Sequence, residues 1–348
     1  MSLRRRIRIV VAILLALGAG LGWFGYRAIW SNNVVEGIEN YDLFISSDTP
    51  FEAVTEQLKE DSVLRSVASF RWVASLKRYD RKIKSGRYRL YSGMSNNDMV
   101  NLLRSGGQTP VRITFNNIDH IYELAEVVSS QLEADSAELV QLLSDPIYLD
   151  SRGWNEETIL GAFLPNTYEM YWNTSAEGFV DRMFQEYEHY WDEERQMKAA
   201  SLSMNPNQVS ALASIVERET IQPAEMKTVA GLYLNRLRRG WKLQSDPTIV
   251  FILKQLNPDT VIRRVLTKDL QIESPYNTYL NAGLPPGPIG VPSLRAIEAV
   301  LANEQHNYMY MCASVDRSGY HEFASTLSEH NRNAARYRQW LNQQRLYR

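Results

Sequence analysis

The chain has 348 residues, 44% of them hydrophobic and 22% charged, with 18 glycines and 13 prolines. This is the make-up of a folded protein with room for more than one domain, and it excludes a disordered chain, a collagen or a disulfide-stapled miniprotein. Thirty-eight Lys and Arg against 40 Asp and Glu leave a formal charge of −2, so there is no basic excess to hold a nucleic-acid backbone. The single cysteine, Cys312, excludes an internal disulfide and a Cys-x-x-Cys metal site.

The N-terminus reads as a membrane segment. Residues 9–26 are 18 uncharged, mostly apolar residues, enough to reach across a hydrocarbon core of about 30 Å. Arg4, Arg5, Arg6 and Arg8 precede this run and only Arg27 follows closely. The positive-inside rule then keeps residues 1–8 in the cytoplasm and sends everything after Tyr26 outside. The alternative is a cleaved signal peptide, for which the run is long and the small-residue site around 16–19 is weak. The reading is a single-pass anchor at 9–26 with a linker at 27–40.

Next a strand, a polar cap and a short helix recur. Residues 41–46 read as a strand, and Thr49-Pro50-Phe51-Glu52 as a helix start with Thr49 at the N-cap and Pro50 in the first turn. The unit returns as a strand at 86–91, a cap at Ser95, and a helix at 96–103 closed by Gly106-Gly107. A weaker third copy has a strand at 111–115, Asp119 as cap and a helix at 122–132. The same pattern is common in generic α+β structure.

From about 137 onward the sequence is mainly helical, with one long amphipathic stretch at 176–197 and helices at 207–220 and from Pro223. A loop dense in Pro, Gly, Asn and Tyr spans 274–293. A buried strand at 308–313, a second strand at 319–323 and a terminal helix at 327–343 follow.

The chemistry concentrates on the helix carrying Ala213-Ser214-Ile215-Val216-Glu217-Arg218-Glu219-Thr220. With Leu212 at zero, the apolar stripe centres near +30°; Glu219 falls at about −20°, inside it, and Glu217 at about +140°, on the solvent side. A carboxyl turned inward is desolvated, its pKa rises, and a protonated carboxyl at neutral pH is a general acid. The alternative is a structural Glu paired with Arg236 or Arg238 from the next helix. In the Pro/Gly loop, Tyr276, Asn277, Thr278 and Tyr279 offer rings and hydrogen bonds to a carbohydrate. Gly283, Gly287 and Gly290 allow close backbone approach, although such a loop is equally a rigid connection. Gln244 and Asp246 belong to a polar turn, where Asp246 either caps the following helix or orients the acid. The five histidines show no i, i+4 pair for a metal site, and there is neither a Gly-x-Ser-x-Gly elbow nor a phosphate loop. Cys312 reads as a small core residue.

ASIVERET (213–220), LYLNRL (232–237), LQSDPTIVF (243–251), SPYNTYLNAGLPPGPIGVPS (274–293) and HEF-x-x-T-x-x-EHN (321–331) occur together in this order. With them the chain resembles the YceG-like family, the endolytic murein transglycosylases, over most of its length after residue 40. The resemblance implies an α+β protein with a single N-terminal transmembrane helix, a small LysM-like module at 41–110 and a larger, mainly helical catalytic α+β domain at 111–348. It implies a periplasm-facing lytic transglycosylase that cuts peptidoglycan glycan strands internally, with Glu219 as the catalytic acid and no metal or organic cofactor. Gln244, Asp246, Tyr276, Asn277 and Gly287 are the implied substrate contacts. Implied partners are the glycan strands, the cytoplasmic membrane and cell-wall synthases, with no nucleic acid. Leu160 and Asn166 stand where the family run carries Glu and Asp, and Phe115-Asn116-Asn117 replaces a Pro-Glu-Gly turn, so those roles do not transfer. The competing readings are a non-catalytic peptidoglycan-binding scaffold and a muramidase-type hydrolase.

Overall fold

The computed structural model describes residues 3–257 and 261–344. The chain forms two compact units. The first runs up to Ile113 and adds Ser130–Ala134 and Tyr168–Ser175; the second takes the remainder. The expected domain limits of 41–110 and 111–348 therefore miss two later segments that return to the first unit.

The first unit opens with helix α1, Leu3–Trp30, which is apolar around its circumference from Ile9 to Tyr26 and uncovered by other parts of the chain from Leu3 to Phe24. At about 1.5 Å per residue it is long enough to cross a membrane. Near its end Ala28 is buried. Strand β1 (Tyr41–Ile45) pairs antiparallel with β2 (Gly86–Leu90), Leu43 opposite Tyr88, and helices α2 (Phe51–Glu60) and α3 (Val67–Leu76) lie between them in sequence. The period-two pattern sends Leu43, Ile45, Tyr88 and Leu90 into a core with Leu58, Phe70, Val73, Met99 and Leu103. From the other face Arg87 and Arg89 both hold Asp42, at 2.6 and 2.9 Å.

Helix α4 (Asn96–Ser105) has the expected ends: Ser95 and Asp98 form a capping box, and Gly106 closes it at φ 77°. Helix α2 starts one residue later than read. Pro50 occupies its N-cap, where its ring has no hydrogen-bonding group, and the Thr49 N–H turns back to the Ser46 carbonyl. Helix α3 was not legible in the sequence; Ser66 caps it by accepting the Ser69 N–H. The segment expected as a linker is partly built in, since Val34 is fully buried and the N–H groups of Asn33 and Val34 both donate to the Met94 carbonyl.

Asn96 ties this unit together. Its amide donates to the Ala28 carbonyl at 2.8 Å and to Ser69 Oγ at 2.9 Å, and its oxygen accepts from Asn33 Nδ2 at 2.7 Å. The Asn96→Ala substitution strands these buried partners and is expected to cost about 1–3 kcal/mol, read as a lower denaturant midpoint of the first unit.

The third strand–helix copy divides between the units. Strand β3 (Val111–Thr114) pairs with β4 (Thr167–Met170), while α5 (Ile121–Ser129) belongs to the second unit. Asp119 does not cap α5; its carboxylate is taken by Arg218 and Lys254.

In the second unit α6 (Ser136–Leu143) and α7 (Pro146–Ser151) lead to α8 (Ala176–Tyr190) and α9 (Glu193–Ser201). The single helix expected at 176–197 is thus broken. Trp191 turns into the core, and Asp192 caps α9 by accepting the Arg195 N–H at 2.9 Å. The centre is α10 (Pro206–Glu219), started by an Asn205/Gln208 capping box. Its residues Val209 to Val216 are all buried, against α11 (Met226–Arg238), α12 (Asp246–Leu256) and α13 (Leu294–Leu301). Strands β5 (Tyr310–Ala313) and β6 (His321–Ala324) form a hairpin before the terminal helix α14 (Leu327–Gln343). Strand β5 is half-buried rather than buried, and Cys312 with it, opposite Glu322.

Candidate active site

Glu219 is the last residue of α10, half-buried, with one carboxylate oxygen holding two hydroxyl donors. Tyr233 Oη on α11 donates to Oε1 at 2.6 Å, and Ser245 Oγ, at the N-cap of α12, donates to the same atom. Ser245 makes no side-chain cap bond because its hydroxyl is committed to Glu219. Arg236 and Arg238 are not partners: Arg236 donates to the Met309 and Leu243 carbonyls, and Arg238 lines a different cavity. The structural ion-pair alternative for Glu219 therefore fails.

The electrostatics of Glu219 are a contest. Burial raises its pKa; the Ser245 and Tyr233 bonds lower it; Asp246 raises it and His321 lowers it. Helix ends also pull both ways, since the carbonyl end of α10 disfavours a negative charge and the amide end of α12 favours one. Burial wins, and the pKa is raised. Tyr233 is itself pushed well above its ordinary value by burial and by Glu219, so its phenol keeps the proton it donates.

A cleft of about 490 Å³ exposes this carboxyl, lined by Asp119, Glu217, Arg218, Glu219, Asp246 and Phe251 among others. Asp119 bonds to Arg218 and, at 2.8 Å, to Lys254, which fixes the turn of α10 next to Glu219. On the other side Glu225 is buried and accepts from the His321 N–H at 2.9 Å and from Thr220 Oγ1 at 3.3 Å. The residue following Glu219 is thereby tied to β6. A larger cavity of about 750 Å³ is lined by residues of 201–211 and 283–286, with Arg238 as its one titratable lining residue. Its size does not compensate for the lack of a poised acid.

The remaining expected residues separate. Asp246 shares the cleft but does not cap α12 with its side chain; it is exposed and accepts from Tyr279 Oη at 2.5 Å. Gln244 is exposed at φ 50°, its N–H given to the Thr278 carbonyl. Asn277 is fully buried and its amide is spent on the loop. It donates to the Leu270 and Ile272 carbonyls and accepts from the Tyr279 and Leu280 N–H groups. Gly287 approaches the chain itself, since a Cβ there would lie 1.8 Å from the Glu157 carbonyl oxygen. Tyr276 is packed 4.7 Å from Phe251 and faces a neighbouring cavity. Glu217, expected in solvent, is half-buried and accepts the Ser293 N–H at 2.7 Å, at the N-cap of α13.

Among the described residues no group of three or more His, Cys, Asp or Glu side chains is placed to hold a metal ion. What the cleft offers is one desolvated carboxyl with a raised pKa, framed by two hydroxyl donors that carry no charge. The site is a half-buried carboxyl with a raised pKa at an open cleft, carried on an α+β scaffold behind an apolar N-terminal helix. The chain belongs to the YceG-like family, whose model matches residues 43–336. It is 26% identical to the endolytic murein transglycosylase of Bacillus subtilis, over 90% of each chain. It is also 26% identical to that of Streptococcus pneumoniae, over 93% of this chain and 64% of the relative, so it spans about two thirds of that relative's length. The crystal structure of a YceG-like protein from Listeria monocytogenes superposes with a TM-score of 0.56 at 25% identity, covering 84% of this chain and 98% of that one.

Proposed function

We propose that this protein is a membrane-anchored lytic transglycosylase that cuts peptidoglycan glycan strands internally, with Glu219 as both acid and base. The observation that carries this is the Glu219 carboxyl, raised in pKa at the wall of an open cleft. The names of the curated relatives support the substrate class. Glu219 protonates the glycosidic oxygen between N-acetylmuramic acid and N-acetylglucosamine, and the C1–O bond breaks. The muramoyl C6 hydroxyl attacks C1 and loses its proton to the Glu219 carboxylate, leaving a 1,6-anhydro end. The nucleophile is tethered to the reacting ring, and its high effective molarity replaces a second carboxylate. Arg4, Arg5, Arg6 and Arg8 in the first turns of α1 support a cytoplasmic N-terminus, with the catalytic unit on the outer face of the cytoplasmic membrane. The β1–α2–α3–β2 order of the first unit supports a LysM-like glycan-binding role.

One observation favours a second reading. Asp246 lines the same cleft, and a muramidase-type hydrolase works with two carboxyls. Borohydride reduction of the products separates the two. Hydrolysis leaves reducible ends, whereas anhydro ends resist reduction. Resistant ends on fragments released from sacculi are expected, and a fully reducible product set overturns the lytic reading.

Tyr233→Phe adds a pH test. Cleavage needs protonated Glu219 and falls as pH rises through its pKa. Removing a donor that favours the carboxylate raises that pKa further, so the alkaline limb of the rate profile is expected to move to higher pH. A limb that stays in place or moves down would mean that Tyr233 does not tune this acid.

A further inference from the structure

Within the first unit, helix α3 runs back along α1 toward its apolar part. Asn96 joins Ser69 Oγ to the Ala28 carbonyl. Three residues further along α3 the Trp72 ring meets α1 three residues earlier, where a Cβ at Gly25 would lie 3.7 Å from it. Helix α4 takes the same course. It starts beside Ala28 with Asn96, and near its other end Arg104 donates at 3.4 Å to the carbonyl of Lys77, the C-cap of α3. Leu76 lies one turn beyond Trp72, about 6 Å further along this course. The rings of Trp23, Tyr26 and Trp30 follow one another along α1, 6.1 and 5.3 Å apart, and such rings collect where a membrane meets water. Trp72 therefore stands at that boundary, and Leu76 past it.

This end of the unit is both apolar and basic. Trp72 is 46% exposed and Leu76 60%, with Arg78 and Arg104 exposed and Lys77 half-buried beside them. The three cations meet no carboxylate among the described residues. Lys77 Nζ is given to the Asn97 and Asn101 side-chain oxygens at 2.5 and 2.7 Å, and Arg104 to a backbone carbonyl. Burial, and then the Arg104 charge, lower the Lys77 pKa; Asp98 opposes them only from a distance, because its carboxylate is bonded to Ser95 at the far end of α4.

We infer that the ends of α3 and α4 dock on the outer surface of the bilayer, with Trp72 and Leu76 entering the interface and Lys77, Arg78 and Arg104 binding the phosphates of anionic phospholipids. The inference rests on the reading of α1 as a membrane anchor and adds a second contact to it. A spanning helix alone lets the first unit tilt with it, whereas a docked face fixes the unit's height and orientation over the lipid. A tryptophan and a leucine suit the boundary of acyl chains and headgroups, and long basic side chains there reach back to the phosphates. Each such cation near an anionic surface is worth about fivefold in binding.

The test uses the full-length protein in vesicles of phosphatidylethanolamine and phosphatidylglycerol that carry a quencher on the lipid. A fluorophore is attached at Leu76→Cys or, as control, at Ser92→Cys, each with Cys312→Ser. Both labelled positions are exposed, and Ser92 lies by the opposite end of α4. The label at 76 is expected to be quenched and the label at 92 spared. Arg78→Gln with Arg104→Gln is expected to weaken the contact by about fivefold per arginine, read as lost quenching at 76, and vesicles of phosphatidylcholine alone are expected to act in the same direction. Equal quenching at both positions overturns the docked face, and so does quenching at 76 that neither the arginines nor the lipid charge alters. A label at 76 that is shielded from water, unquenched by lipid and released when the protein is diluted to one chain per vesicle would assign the face to a second copy of the chain and overturn the lipid contact. Failure of the anchor reading shows separately, as protein that a carbonate wash strips from the vesicles.

Discussion

Glu219→Gln is expected to abolish strand cleavage while leaving the protein folded. Acid–base groups contribute about 10²–10⁴-fold in rate, and in the proposed mechanism one residue serves both proton transfers, so the expected loss lies at or beyond the upper end. The amide oxygen of Gln still accepts from Tyr233 and Ser245, so the local bonds survive. The same substitution is expected to change stability in a pH-dependent way. A carboxyl whose pKa is raised on folding favours the folded state below its unfolded value, and that benefit is lost as pH rises through the raised value. Above the ordinary carboxylate pKa the wild type bears the cost of holding this carboxyl where its charge is disfavoured, and Gln does not. Glu219→Gln is therefore expected to melt higher than wild type at neutral pH, with the gap narrowing as pH falls. An inactive variant that also unfolds would remove the distinction between catalysis and structure on which the assignment rests.

Asn277→Ala is expected to be the most destabilising single change around the site. It leaves the Leu270 and Ile272 carbonyls and the Tyr279 and Leu280 N–H groups without their side-chain partner in a fully buried position. Unmet buried groups cost about 1–3 kcal/mol each, and after partial relaxation a total of about 3–4 kcal/mol is expected from denaturant unfolding. The effect reaches the acid through Thr278, whose hydroxyl accepts the Ser245 N–H at 3.0 Å and meets Thr248 Oγ1 at 2.9 Å. If Asn277 were a sugar contact, Ala would instead weaken substrate binding and leave stability near wild type.

The sequence reached Glu219 because its position on α10 depends only on helical periodicity, which is local. It did not reach Tyr233 or Ser245, which lie 14 and 26 residues away on other elements. Tyr233 falls in the apolar stripe of α11, where a phenol reads as core packing. Ser245 is flanked by Gln244 and Asp246, whose larger polar groups drew the reading away from the one hydroxyl that turns inward. Glu217 shows the limit of the wheel itself: a helix periodicity gives direction, not what stands there, and the start of α13 covers that side. Asn277 and Gly287 were read as facing a ligand, but an Asn or Gly in a dense loop serves the loop's own backbone equally well, and nothing local separates the two roles. The break at Trp191–Asp192 was hidden because both halves continue an amphipathic pattern across it.

The most direct test of the single-carboxyl mechanism is digestion of sacculi by the wild-type protein in water enriched in heavy oxygen, with mass analysis of the new glycan ends. Attack by the tethered C6 hydroxyl brings no solvent oxygen to C1. Anhydro ends without label are the expected result. Reducing ends that carry the heavy oxygen would contradict it, since water would then be the nucleophile and Asp246 the second carboxyl that hydrolysis requires.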